Sequence, residues 1–315
     1  MTSIIFMGTP DFSVPVLEGL LDHGYEIKAV VTQPDKKVGR KQKITKTPAK
    51  VAAEKHNLKV LQPVKLSGSP EMEELINMHA DLIVTAAYGQ FLPTKFLNSV
   101  KIAAVNVHGS LLPKYRGGAP IQYSLLNGDK KTGVTIMEMV KKMDAGDMYA
   151  QKAIEIQPDD TSGSLFEKLS YVGRDLLLET LPKIIDGTVK KVAQDPDQVV
   201  FSPNISKEQE KITLEMTAAQ ANNLVRALNP DPGAYMMVDG KRLKVWKAQV
   251  SDETTDLAPG TVVANKGRFA ISFANGTVLE LLELQPSGKK RMEVKNFLNG
   301  QGSKFTTGEK IVDEE

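Results

Sequence analysis

The chain has 315 residues, 40 basic against 38 acidic side chains and no cysteine. Its length predicts two domains, its net charge of +2 argues against a protein that coats nucleic acid over its whole surface, and the lack of cysteine excludes a disulfide scaffold, a thiolate zinc site and a cysteine nucleophile. No secretory leader and no apolar run of membrane length occurs, so we expect a soluble cytoplasmic protein.

The first predicted unit is a strand, a tight turn and a helix. The apolar run from Ser3 to Met7 predicts a buried strand, and apolar residues at helical spacing between Val14 and Leu21 predict the helix. The turn between them lacks the second and third glycines of the dinucleotide-binding fingerprint, which excludes a nicotinamide cofactor. The free amide donors of the helix start favour an acceptor-rich group nearby.

A dense basic segment follows the second predicted strand. Seven cationic side chains lie between residues 36 and 50, and Asp35 is the acidic residue that opposes them. A run of this kind is either a solvated loop or a phosphate-binding loop, and the residues alone leave both open.

Strands and helices continue to alternate up to the strand at residues 81–87. This order predicts a Rossmann-like, mostly parallel sheet with helices on both faces. The loop after that strand carries Gln90, Phe91 and Leu92. They are either a hydrophobic plug between elements or a wall for a flat ring, because ligand pockets are mainly apolar with a few polar anchors.

The stretch from Ala103 to Pro120 carries the strongest chemical signal. Asn106 and His108 lie two residues apart in a predicted buried strand, so both side chains project from the same face. A loop rich in glycine and proline then leaves the carboxyl end of the strand, where open α/β sheets bind ligands. Singly, such an Asn and His are usually structural; together with this loop they predict a catalytic pair.

The remaining chain predicts the end of the first domain and a second one. Thr132 to Val140 is a predicted outer strand with Asp144 in the loop beyond it, Tyr149 to Ile156 is a returning edge strand, and a helix follows. Five short strands after residue 207 predict a small β-barrel of the OB type. The predicted division is 1–187 for the α/β domain, 188–207 for a linker and 208–315 for the barrel.

Three motifs resemble a known family. The run Asn-Val-His-Gly-Ser-Leu-Leu-Pro-Lys-Tyr-Arg-Gly-Gly-Ala-Pro at 106–120, with Asp144 further along, is similar to the signature of the folate-dependent formyltransferases. Residues 6–12, and Lys-Lys-Arg-Met at 289–292, resemble the branch of that family that formylates initiator methionyl-tRNA. The resemblance therefore spans nearly the whole chain.

The resemblance implies a reaction and a set of site residues. The reaction is direct transfer of the formyl group of 10-formyltetrahydrofolate to the α-amino group of initiator methionyl-tRNA through a tetrahedral intermediate, for translation initiation. The four histidines are scattered and no carboxylate cluster has metal-ligand spacing, so we expect no metal requirement, and we expect a monomer. The implied catalytic residues are Asn106, His108 and Asp144. The implied folate contacts are Gln90, Phe91, Leu92, Ser110, Leu111, Leu112 and Pro113. The implied tRNA contacts are Arg40, Lys41, Lys43, Lys289 and Arg291.

Other functions are weighed against this one. Ser110 lacks the Gly-x-Ser-x-Gly context of an exposed nucleophile, so a formyl-enzyme is not expected. A formyltransferase acting on a small amine, such as an amino sugar nucleotide, would need neither the basic segment nor the barrel. A non-catalytic RNA-binding module would bind tRNA without binding folate.

Overall fold

The structure is a computed structural model, and it describes residues 1–38 and 42–314. The chain forms two compact units. The first contains residues 1–120, 131–155 and 166–203, and the second contains residues 121–130 and 156–165 and the chain from Asn204 onward. The described helices include none with the length and apolar character needed to cross a membrane.

The chain up to residue 185 forms nine strands and six helices within the described residues. In chain order they are β1 (Ser3–Gly8), α1 (Ser13–Asp22), β2 (Glu26–Val31), β3 (Lys36–Val38), β4 (Lys43–Thr45), α2 (Pro48–Lys55), β5 (Val60–Leu61), α3 (Pro70–Asn77), β6 (Leu82–Ala86), α4 (Thr94–Leu97), β7 (Ala103–His108), α5 (Pro120–Leu126), β8 (Lys131–Glu138), β9 (Met148–Glu155) and α6 (Ser162–Ile185).

Seven of these strands form one sheet in the order β5-β2-β1-β6-β7-β8-β9. The first five strands along this order run parallel, and β8 and β9 are antiparallel to their neighbours. Every residue of β1 and β6 is buried, as expected for strands covered on both faces. Strand β9 forms the edge of the sheet beyond β8, which confirms the predicted returning edge strand, and six consecutive residues of β8 are buried.

Helices pack on both faces of this sheet. On one face Met72 and Leu75 of α3 share a core with Ile5 of β1 and Ile83 of β6. On the other face a Cβ at Gly173 of α6 would lie 2.7 Å from a methyl group of Val107, so the helix approaches the strand too closely for a side chain. This face assignment puts Asn106 on the α3 side of β7, because side chains alternate along a strand.

The second unit is an antiparallel sheet domain. Its elements are α7 (Ala218–Ala227), β10 (Ala234–Val238), β11 (Lys241–Thr254), β12 (Val262–Ala264), β13 (Phe269–Ser272), β14 (Thr277–Pro286), β15 (Met292–Glu293) and α8 (Val294–Leu298). The sheet order is β10-β11-β14-β13-β12, with β15 paired to β14. The predicted fold class, a Rossmann-like, mostly parallel sheet followed by a small OB-like domain, is confirmed in its parallel sheet with flanking helices and in its antiparallel second domain. The closure of that second sheet into a barrel stays a prediction.

The basic segment after β2 contains a short hairpin rather than a plain loop. Strands β3 and β4 pair antiparallel, with Lys36 opposite Thr45. Lys43 lies in this hairpin with an exposed side chain. Arg40 and Lys41, two of the predicted tRNA contacts, lie outside the described residues.

Candidate active site

The Asn106 carboxamide is held by a neighbouring strand. The Thr85 hydroxyl on β6 donates to Asn106 Oδ1 at 2.7 Å. Since this bond occupies the amide oxygen, the Asn106 NH₂ group is left to donate. The side chain is half-buried, so the structure presents a fixed amide donor at the carboxyl end of β7.

His108 lies two residues further along and is more deeply buried. The residue is 5% exposed, and its Nε2 lies 2.9 Å from the carbonyl oxygen of Tyr115. Its Nδ1 lies 3.8 Å from Asp144 Oδ1, which is longer than a hydrogen bond. The two ring nitrogens therefore face two oxygens, and the Tyr115 carbonyl oxygen is the one within hydrogen-bond distance.

Asp144 reaches His108 because the loop after β8 folds back across the sheet. Strand β8 runs antiparallel to β7, and Met139 N, just beyond its end, donates to Ala104 O at 2.8 Å. The other Asp144 oxygen, Oδ2, accepts the backbone N–H of Gly117 at 2.9 Å. Two of the three predicted catalytic side chains, His108 and Asp144, are thus tied to one loop, residues 115–117, whereas Asn106 is held by Thr85.

The loop after His108 is held by hydrogen bonds to a buried threonine of β8. Thr135 Oγ1 donates to Ser110 O and accepts from Leu112 N, at 2.7 and 3.1 Å. Ser110 itself is fully buried, and its hydroxyl donates to Lys114 O. This hydroxyl is occupied inside the loop, which fits a turn-forming role. Leu111 and Pro113 are half-buried, whereas Leu112 is buried.

The loop after β6 contains the other predicted folate contacts, which differ in exposure. The Gln90 side chain is hydrogen-bonded to the backbone of another segment. Its Oε1 accepts from Leu66 N at 2.9 Å, and its Nε2 donates to Pro63 O at 3.2 Å. Leu92 is 3% exposed and belongs to the core, whereas Phe91 is 60% exposed. Of this group, Phe91 offers the free apolar surface.

Tyr88 in the same loop is a buried residue with an unsatisfied group. Its side chain is 4% exposed, and its hydroxyl has no hydrogen-bond partner among the described residues. Burial, with a smaller effect of Glu71, raises the pKa of Tyr88 to about 12. Its backbone carbonyl accepts two hydrogen bonds, one from Thr9 Oγ1 and one from Gln33 Nε2.

The two predicted tRNA contacts of the second unit have different surroundings. Lys289 and Arg291 are both exposed. The Arg291 guanidinium pairs with Glu283 and lies 5.1 Å from the ring centre of Trp246. Arg291 therefore already packs against the domain surface, whereas no ion pair with Lys289 is found in the described chain.

Sequence reasoning missed several residues that hold this site. Thr85 lies inside an apolar strand, Tyr115 acts through its backbone oxygen, and Gln194 lies in the predicted linker. A backbone carbonyl carries no sequence signal. For Thr85, a polar residue inside an otherwise apolar buried strand was the available clue. The described residues contain no group of three potential metal ligands.

Comparison with known proteins defines the class of this chain, which is a formyl transferase. Residues 1–181 match the Formyl transferase family and residues 204–302 match its C-terminal domain family, so the chain belongs to the formyl transferase family. The chain is 78% identical over 313 residues to the methionyl-tRNA formyltransferase of Lactobacillus acidophilus, covering 99% of this chain and 100% of that protein. It is 69% identical over 314 residues to that of Lactobacillus gasseri, covering 100% of both.

A solved structure with this fold is a complex with an amino sugar nucleotide. The N-formyltransferase from Helicobacter canadensis, in complex with folinic acid and dTDP-3-aminofucose, superposes with a TM-score of 0.70. It is 20% identical, and the match covers 91% of this chain and 100% of that one. At this identity the likeness supports the fold.

Proposed function

We propose that the chain transfers the formyl group of 10-formyltetrahydrofolate to the α-amino group of methionine on the initiator tRNA, giving N-formylmethionyl-tRNA for translation initiation. The observation that carries this proposal is the 78% identity, over the full length of both chains, to a methionyl-tRNA formyltransferase. The proposal includes a cytoplasmic, monomeric enzyme. The domain boundaries at 187 and 208 stay a prediction.

The acceptor can react without a strong enzyme base. An α-amino group has a pKa of about 8, so a useful neutral fraction exists near pH 7, while lysine side chains remain protonated. Attack of this nitrogen on the formyl carbon gives a tetrahedral intermediate with a negative oxygen. The Asn106 amide, oriented by Thr85, supplies a preorganised donor for that oxygen. One such donor lowers a barrier by about 3 kcal/mol.

His108 and Asp144 manage the protons in this proposal. The attacking nitrogen gains a positive charge and must lose a proton, while the folate nitrogen must gain one to leave. Nε2 of His108 is hydrogen-bonded to Tyr115 O, so Nδ1, which faces Asp144 at 3.8 Å, is the nitrogen placed to exchange a proton. Asp144 orients the imidazole or orders a water beside it.

The residues around the site fit a formyl-folate co-substrate. Asn106 offers an amide donor for the formyl oxygen, and the exposed ring of Phe91 offers apolar surface for a flat ring. We propose folate contacts by the loop at 110–113, through backbone groups and the side chains of Leu111 and Pro113, and by the loop at 90–92. The Ser110 hydroxyl donates to Lys114 O inside its own loop, which supports direct transfer.

The tRNA is proposed to contact exposed cations in each unit. Lys43 in the β3–β4 hairpin and Lys289 after β14 are exposed, as phosphate contacts require. Arg40 and Lys41 belong to the same proposal. Arg291 is proposed as a contact through whichever of its donors remain free of Glu283.

The direct test offers the full-length chain two acceptors. With 10-formyltetrahydrofolate present, we expect blocked amino groups on methionine released from methionyl-tRNA, and slow or no formylation of a dTDP-amino sugar. Formylation of the sugar in preference to the charged tRNA would overturn the proposed acceptor.

His108→Ala should abolish turnover while binding of the charged tRNA is retained, and near-normal turnover would remove the catalytic role of His108.

A further inference from the structure

The stretch between Val192 and Ser202, within the predicted linker, pairs with the loops that carry the site. Val192 and Met148 exchange two backbone hydrogen bonds of 2.8 and 2.9 Å. Further along, Arg116 N donates to Val200 O at 2.9 Å, and Ser202 N donates to Arg116 O at 2.8 Å. The backbone just before Gly117 is therefore held like a strand against this stretch.

Gln194 connects both loops through its side chain. Its Nε2 donates to Asp144 O at 2.9 Å and to Gly146 O at 2.7 Å. Its Oε1 accepts from Nε and Nη2 of Arg116, a buried residue, at 2.9 and 2.8 Å. A flipped carboxamide would set NH₂ against the guanidinium and oxygen against two carbonyls, so this network allows one orientation.

The loop that carries Asp144 needs such support. Asp144 has φ of 49°, in the left-handed region that costs about 1–2 kcal/mol for a residue with a side chain. A Cβ at Gly146 would lie 2.0 Å from Glu138 O, so the turn is also tight. Strained conformations of this kind persist when the surrounding contacts determine them, and Gln194 bonds the carbonyls at both ends of residues 144–146.

The hydrogen bonds around Gln194 form a closed ring through the catalytic side chains. Arg116 is followed by Gly117, whose N–H donates to Asp144 Oδ2, and preceded by Tyr115, whose carbonyl faces His108 Nε2. Gln194 joins the side chain of Arg116 to the backbone of Asp144. We infer that Gln194 is a positioning residue: it holds the Asp144 side chain close to His108 and does not contact substrate. This inference rests on the proposed formyl transfer.

The test compares Gln194→Ala with Gln198→Ala in the full-length chain. Gln198 is exposed in the same stretch, and its side chain donates to Asp195. For Gln194→Ala we expect kcat to fall about 10- to 100-fold with KM for methionyl-tRNA within about twofold, because a shift of about 1 Å at a catalytic group costs a factor of that order. Gln198→Ala should match the wild type. Unchanged kcat in Gln194→Ala overturns the inference.

Two further variants separate positioning from general support. Gln194→Glu keeps the acceptor for Arg116 but sets oxygen against the carbonyls of Asp144 and Gly146, so it should lose as much kcat as Gln194→Ala; it also serves if the alanine variant fails to fold. In an Asp144→Ala background, Gln194→Ala should cause no further loss in single-turnover rate, since the group it positions is gone. Multiplicative losses would make Gln194 merely structural and overturn the inference. A wild-type chain that cannot formylate methionyl-tRNA would instead refute the proposed function.

Discussion

The loops proposed to be catalytic and the cations proposed to contact tRNA are built in opposite ways. Asn106, His108 and Asp144 are buried or half-buried, and each has a hydrogen bond or close polar contact to a group fixed by the sheet or its loops. Lys43 and Lys289 are exposed, at a hairpin and after a strand end. The first arrangement fixes distances, and the second leaves long side chains free to adjust.

This difference fits the role proposed for each region. Stabilising a developing charge requires donors that are already in place, because reorganisation at the moment of reaction costs free energy. Binding a phosphate backbone depends on the number of available cations and much less on their exact positions. Substitutions in the catalytic loops should therefore change kcat, and substitutions of the exposed lysines should change KM for tRNA. The predictions below test that separation.

The largest effect is expected at the amide donor. Asn106→Ala should lower kcat by about 10²–10³-fold, the usual loss for one preorganised donor. Asn106→Asp has the same shape but presents only acceptors, so it should be equally impaired. Steady-state kinetics with methionyl-tRNA measures both, and Asn98→Ala, at an exposed position after α4, is the control. An active Asn106→Asp enzyme would show that shape rather than donation is required.

A smaller loss in kcat is expected at Thr85. Thr85→Val removes the hydroxyl that holds Asn106 Oδ1, so the amide can rotate and kcat should fall about 10-fold, with KM little changed. Thr85→Ser retains the hydroxyl and should recover most of the rate. Thr132→Val, at a buried threonine of β8, controls for the general cost of this change in the sheet. Equal rates for Thr85→Val and the wild type would mean that Asn106 is oriented by other contacts.

The strands can be predicted from the sequence better than the contacts that hold the site in place. The continuous apolar run of β1 and the i, i+2 spacing of Asn106 and His108 follow from local periodicity, so the fold class and the shared face of this pair were predictable. The contact between Gln194 and Asp144 joins residues 50 apart through a backbone carbonyl, which leaves no pattern in one sequence. The six consecutive buried residues of β8 likewise depend on distant segments that cover both faces of the strand, which a local pattern does not reveal.

The exposed cations should affect binding with little effect on chemistry. Lys289→Ala should raise KM for methionyl-tRNA a few-fold and leave kcat unchanged. It should also lower the slope of log KM against log salt concentration by about 1, the contribution of one phosphate contact. Arg291→Ala should add a loss of thermal stability, because Arg291 also pairs with Glu283 and stacks on Trp246. Kinetics at several salt concentrations and thermal unfolding measure the two effects. A drop in kcat for Lys289→Ala would contradict the separation of the two regions.

The smallest effect at neutral pH is expected at Tyr88, between the scaffold and the site. Tyr88→Phe removes a buried hydroxyl without a partner in the described chain, so at pH 7 stability should be unchanged or higher by up to about 1 kcal/mol. A raised pKa of about 12 means that the unfolded chain ionises first. The part of the wild-type stability that is linked to Tyr88 is therefore fully present below about pH 10, the unfolded pKa. It is lost as the pH rises toward 12. Tyr88→Phe should lack this part of the alkaline loss, which denaturant unfolding at pH 8 and pH 11 measures. If Tyr88→Phe instead lowers kcat at pH 7 while stability is unchanged, the hydroxyl contacts substrate and belongs to the catalytic region.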